Sequence, residues 1–218
     1  MRLVTALCAG IAAAALGGPT LAAPNVSLDP QAIGKPPVDN WTTFNGDYSG
    51  QRYSPLTQIT PANVDQIAQQ WAYQITGVSS RQSGPATAIK CTPLLVNGTL
   101  YITIPDHVWA LNARDGKEIW HYDWVDHGGH LIGQRGVGMW KTTVYFETPD
   151  NWLLALNATT GKELWRGRLP AGGQATPMTY VWKGRQYVVI AAGGHGKLQI
   201  KQGDYLMAFA LPGANPRR

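Results

Sequence analysis

Three histidines fall within one short stretch, "HYDWVDHGGH", at His121, His127 and His130. Imidazoles gathered this way invite a metal. The gaps between them fit no defined zinc pattern, and the stretch reads as a join between two packing units, so no metal site is expected. Two cysteines are present, Cys8 and Cys91, with no Cys-x-x-Cys-His run, which excludes a covalently held c-type haem. Cys91, in "KCTP", reads as a half-buried strand thiol. Arg135 stands among glycines in "GQRGVGMW", and His195 in "AAGGHG". Taken alone, each is a polar side chain on a glycine-flexed surface loop. Spacing by itself therefore assigns no catalytic residue, and the catalytic group stays unknown.

The elements that must carry these residues announce themselves through a repeat. "ALNARDGKEIW" runs from Ala110 to Trp120, and "ALNATTGKELW" runs from Ala155 to Trp165. A catalytic site is rarely copied whole within a domain, whereas a packing unit often is. Around the first copy lie four short β-like runs: "TPLLV", "TLYIT", "VWALNA" and "EIWHY". Asn97-Gly98 between the first two is a strong hairpin signal, because both residues tolerate positive φ. Four antiparallel strands in about 40–45 residues is the size of one β-propeller blade. The second copy repeats the grammar with "GVGMW", "TVYFET", "LLALNA" and "ELWRG", although its hairpin turn at "KTT" is a poorer signal.

A third unit holds "ATPMTYVW", a turn at Lys183-Gly184-Arg185, "QYVVIAA" and "DYLMAFALP", but no following Trp strand. "IAQQWAYQI", from Ile67 to Ile75, has the matching Trp-x-Tyr. It is expected to complete the last blade, as N-terminal strands commonly do in propellers. The fold expected is thus all-β, with about three four-stranded blades. Trp71, Trp120 and Trp165 are expected in the core between blades. Gly116 and Gly161 argue against a helical reading of the repeat. One short helix is expected at "TPANVDQIAQQ", with Thr60 as N-cap and Pro61 in the first turn.

Composition agrees with a turn-rich β protein: 218 residues with Gly 25, Pro 15 and Trp 9, and only 14% charged. The formal charge is +5, yet no Lys/Arg run exceeds two residues, so no nucleic-acid partner is expected. Residues 1–23 read as a signal peptide: a basic "MR", an apolar run, and small residues at "PTLAAP". The run is short for a membrane span, so cleavage and periplasmic export are expected, with no transmembrane span afterwards. Export would leave Cys91 as the single thiol and no internal disulfide. The organisation expected is a signal peptide over 1–23, an N-terminal extension with the short helix over 24–66, a partial propeller over 67–212, and a tail over 213–218.

The repeated phrase, together with "NWTTFNGDYSGQRYSPLTQIT" near the start, resembles the quinoprotein dehydrogenases, periplasmic eight-bladed propellers that hold pyrroloquinoline quinone (PQQ). The likeness runs from about Asp39 to Pro212. The tail "LWRGRLPAGGQATPMTYVWKGRQYVVIAAGGHG" is similar to the membrane-bound glucose dehydrogenases. Members of the family are more than twice as long, and an N-terminal portion here runs directly into a C-terminal portion near Phe146–Asn151. Loss of whole blades between two copies of the repeat would keep the register.

The resemblance implies oxidation of an alcohol or an aldose such as glucose, with hydride transfer to PQQ and a calcium ion at the quinone. It gives Arg135 a PQQ carboxylate as partner, with Gln134 in place of the usual Asn. A guanidinium fork suits a polycarboxylated quinone. It places His195 at the cofactor and substrate mouth, where glycines let backbone approach a flat ligand. Lys90 stands where many relatives have a PQQ-contacting Glu. No motif here matches the family's calcium ligands or its catalytic Asp. A non-catalytic propeller fragment that binds a partner chain is the competing expectation. Three blades can hardly close around an axis, so self-association to bury the open faces is expected as well.

Overall fold

The computed structural model describes residues 25–75, 89–125, 135–194 and 201–212. They form eleven strands in three antiparallel sheets. The first blade is β1 (Leu94–Val96), β2 (Thr99–Ile104), β3 (His107–Asn112) and β4 (Glu118–Asp123), in that order. The second is β5 (Gly138–Trp140), β6 (Thr143–Glu147), β7 (Trp152–Asn157) and β8 (Glu163–Arg168). The third has three strands, β9 (Met178–Trp182), β10 (Arg185–Ala192) and β11 (Tyr205–Phe209), ordered β11-β10-β9.

The first hairpin of each blade closes on two residues, between Val96 and Thr99, Trp140 and Thr143, and Trp182 and Arg185. Asn97-Gly98 and Lys183-Gly184 both adopt positive φ, the twist that suits right-twisted strands. Lys141 takes the same conformation in the second blade (φ 50°), which is why "KTT" turns despite its weak signal.

The repeated phrase is a docking device. In each copy the Asn ties the turn, with its Oδ1 accepting from Arg114 N at 2.9 Å or Thr159 N at 3.0 Å. Gly116 and Gly161 both sit at φ +71°. A Cβ on Gly116 would lie 2.5 Å from the ring of Trp71, and one on Gly161 would lie 2.7 Å from that of Trp120. Only a bare backbone admits each indole. Trp71 Nε1 donates to Ala113 O at 3.2 Å, and Trp120 Nε1 donates to Ala158 O at 2.9 Å. Each Trp thus docks on the next unit's turn. Tyr73 donates to Glu118 and Tyr122 to Glu163 in the same relation, with burial and the carboxylate pushing Tyr73 up to about 12.

Apolar layers follow the same succession. Ile104, Trp109 and Leu111 of the first blade pack with Tyr73 and Ile75. Leu94, Tyr101, Val108 and Trp120 pack with Phe146, Leu154 and Leu156 of the second blade, joined by Val26, Leu28 and Ile33 from the N-terminal segment. Leu153 and Leu169 then meet Val188 and Ile190 of the third blade. The N-terminal segment is held there by single bridges, Leu28 to Lys141 and Trp41 to Leu95.

Three sequence expectations change. The stretch from Thr60 forms a turn and a 3-10 helix at Val64–Gln66 rather than an α-helix. Thr60 does not cap: its N–H donates to Asn63 Oδ1 at 2.7 Å, and Val64 and Ile67 stay exposed, leaving no apolar face to fix a helix. Residues 67–75 do not complete the third blade; no strand pairing involves them among the described residues, and they dock on the first blade instead. Trp165 is not core: it is 42% exposed and edge-on to Phe209, and no Gly turn among the described residues receives it.

Candidate functional site

Two candidate site residues stand in the loops that lead into the first strands of the first and second blades. Gly138 in β5 packs so closely on Pro177, just before β9, that a Cβ would fall 2.2 Å from its carbonyl oxygen. Arg135 and Lys90 precede β5 and β1, and both are exposed. Their loops are joined: Thr92 N donates to Arg135 O at 3.1 Å. Gly136 makes this approach with φ +116°, and a Cβ there would meet Thr92 O at 2.9 Å. Neither the Arg135 nor the Lys90 side chain is hydrogen-bonded or ion-paired to another described residue. Two unpaired cations on two tied loops suit a ligand with several carboxylates. Gln134 and His195 lie outside the described residues.

The glycines before His195 have a structural task of their own. Gly194 N donates to Gly172 O at 2.9 Å with φ +67°, and a Cβ there would lie 2.3 Å from Lys201 O. The close approach they permit is therefore to the chain's own backbone.

The histidine stretch resolves differently from its sequence spacing. His127 and His130 lie outside the described residues, while His121 meets His107, whose ring Nδ1 is 2.8 Å from His121 Nε2. His107 is buried, 3.5 Å from Asp106 and 3.4 Å from Asp123, and the imidazole of His121 stacks flat on Trp109 at 4.5 Å. Burial, then the neighbouring His107, lowers the pKa of His121. Sequence inspection gave no sign of this cluster, because β3–β4 pairing alone brings His107 opposite Asp123. Among the described residues no group of three His, Cys, Asp or Glu side chains is arranged to hold a metal.

Other chemistry-bearing groups are structural. Asp150 accepts from Trp124 Nε1 at 2.8 Å and from Thr148 Oγ1 at 2.6 Å, so it fastens the β6–β7 turn. Cys91 is a free, half-buried thiol that accepts from Thr103 N at 3.4 Å, and it stands just before β1 rather than in a strand as expected.

The sequence profile of the glucose/ethanol/alcohol dehydrogenase β-propeller domain, labelled PQQ, matches residues 41–147 and 141–188. The chain belongs to this family. The two matched stretches overlap at 141–147. Quinoprotein glucose dehydrogenase A of Acinetobacter calcoaceticus is 68% identical over 65 residues, 30% of this chain and 8% of that protein. Quinohemoprotein alcohol dehydrogenase ADH-IIG of Pseudomonas putida is 37% identical over 134 residues, 58% of this chain and 17% of that protein. The crystal structure of quinohemoprotein alcohol dehydrogenase from Comamonas testosteroni superposes with a TM-score of 0.64 at 29% identity, covering 83% of this chain and 26% of that one. The chain thus spans well under a third of the length of these relatives.

Proposed function

We propose that this protein binds PQQ and serves the oxidation of an alcohol or an aldose such as glucose. The observation that carries this reading is the pair of unpaired cations, Arg135 and Lys90, on loops joined through Thr92 in a quinone-dehydrogenase propeller. When bound, PQQ supplies a quinone that accepts hydride from the substrate carbon. Arg135 would hold a quinone carboxylate through its planar fork, and Lys90 would add a second cation near the same rim. Gln134 and His195 belong to this rim by resemblance. The Thr92–Arg135 bond and the Gly136 turn orient the Arg135 backbone before any ligand arrives. A calcium ion belongs to the family resemblance, but the described residues supply no set of oxygen ligands for it, so no step is assigned to a metal here.

Export to the periplasm through a leader at 1–23 is part of the same reading, supported by the basic start and apolar run of the sequence. No helix among the described residues is long and apolar enough to cross a membrane. A second reading, a non-catalytic propeller portion that binds a partner chain, is favoured by the open third sheet, where Trp182 and Leu206 are exposed. Dye reduction separates the two. The protein loaded with PQQ and calcium is offered glucose and ethanol with an artificial electron acceptor. Turnover with either substrate supports the dehydrogenase; quinone binding with no turnover supports the partner-binding reading.

A further inference from the structure

Two parts of the molecule are each half of the same object. Residues 71–75 alternate half-buried and exposed, with Trp71, Tyr73 and Ile75 against the first blade and Ala72 and Gln74 outward. Their backbone makes no backbone–backbone hydrogen bond among the described residues. This is a strand without a sheet. It occupies the position that a fourth strand takes, since Trp71 meets Gly116 and Ala113 O as Trp120 of β4 meets Gly161 and Ala158 O. The third sheet is the converse, a blade whose β11 pairs with β10 on one side and, among the described residues, with nothing on the other. Its far face, opposite the one packed on the second blade, exposes Met178 (48%), Trp182 (58%) and Leu206 (74%). Within one chain the two halves lie at opposite ends of the succession, separated by the first and second blades.

We propose that two copies of this chain exchange these halves: residues 67–75 of each add antiparallel to β11 of the other. Two copies of three blades make six, within the four to eight that propellers use, and every blade then has four strands. The register follows from the blades already present. Ala110 pairs with Trp120 and Ala155 with Trp165. Each of these alanines lies opposite the third residue after the hairpin, Tyr101 or Tyr145. The third blade has Tyr187 at that position; Val188 pairs with Phe209, so Tyr187 faces Ala210 of "MAFALP". This puts Trp71 opposite Ala210, Tyr73 opposite Ala208 and Gln74 opposite Met207. Ala208 and Met178 share the open face, both being in register with Val189. The Trp71 ring, facing its own first blade, therefore brings that blade onto the exposed Met178 and Leu206. The contact is head-to-tail and closes by two-fold symmetry.

The proposal needs no cofactor, so it stands or falls separately from PQQ binding when tested without quinone. Light scattering on the mature chain at micromolar concentration is expected to give twice the chain mass. A monomer, or a species larger than a dimer, overturns the two-copy ring. The Leu206→Glu change, on a residue already exposed, is expected to weaken association at least tenfold with an unchanged far-ultraviolet spectrum. Wild-type dimerisation by this variant would count against the proposal. Register is read by crosslinking in a Cys91→Ser background. Gln74→Cys and Met207→Cys proteins, mixed and oxidised, are expected to yield a peptide linked from 74 to 207. Failure to form that link, while each variant remains folded, overturns the assigned pairing.

Discussion

Gly161→Ala tests the docking device most sharply, because the structure holds its own control. Gly161 and Gly98 have nearly the same backbone, φ +71° and +76°, so each pays a similar left-handed penalty on gaining a Cβ, roughly 1–2 kcal/mol. Around Gly98 the new methyl meets nothing within 4 Å. At Gly161 it falls 2.7 Å from Cε3 and 2.8 Å from Cδ2 of Trp120, whose ring is 8% exposed and whose Nε1 is bonded to Ala158 O. Such overpacking adds about 1–3 kcal/mol. Gly98→Ala is therefore expected to cost about 1–2 kcal/mol and Gly161→Ala about 2–5 kcal/mol. Urea unfolding followed by circular dichroism gives both values, and tryptophan emission reports whether the indole of Trp120 has left its buried seat. Equal losses in the two variants, with Trp120 emission unmoved, would refute the claim that this glycine exists to seat the indole.

Further outcomes follow from the same geometry. Trp120→Ala is expected to destabilise by about 3–5 kcal/mol, and Trp165→Ala by less than about 2, since only the first ring is buried between blades; paired denaturation curves check this. His121 has a folded pKa lowered below 6.5, chiefly by burial and then by His107, against the smaller opposing pull of Glu118 and Asp123. The unfolded chain therefore takes up the proton first. Stability from this site is complete above the unfolded pKa and falls as pH drops through about 6.5, and His121→Gln is expected to flatten that part of a melting-temperature profile. Tyr73→Phe removes the bond to Glu118 and leaves the Trp71 seat intact, with an expected loss of about 0.5–1.5 kcal/mol in urea unfolding.

The blades were legible because their signals are local. Asn97-Gly98, the Gly-Lys turns and the period-two apolar runs each specify their own few residues, and all three sheets form where those signals stand. What the sequence could not disclose depends on distant partners. Trp165 carries the same phrase as Trp120, yet a Trp is core only where another unit presents a Gly turn to it. The Trp-x-Tyr at 71–73 was expected to pair with the third unit; it docks on the first blade and pairs with no described strand. At the candidate site, Arg135 and Lys90 were named by resemblance, and the Thr92–Arg135 bond that ties their loops has no sequence signature. The His107–His121 contact was invisible for the same reason: strand register creates it, and the histidine spacing pointed instead to His127 and His130.

The central claim is that Arg135 belongs to a retained PQQ rim, and equilibrium titration of the protein with PQQ tests it most directly. Quenching of tryptophan emission is expected to saturate at one quinone per chain. Arg135→Ala is expected to weaken binding about tenfold to a hundredfold, because a charge-assisted pair contributes roughly 1.5–3 kcal/mol. No saturable binding by the wild-type chain, or equal affinity in the variant, would contradict it.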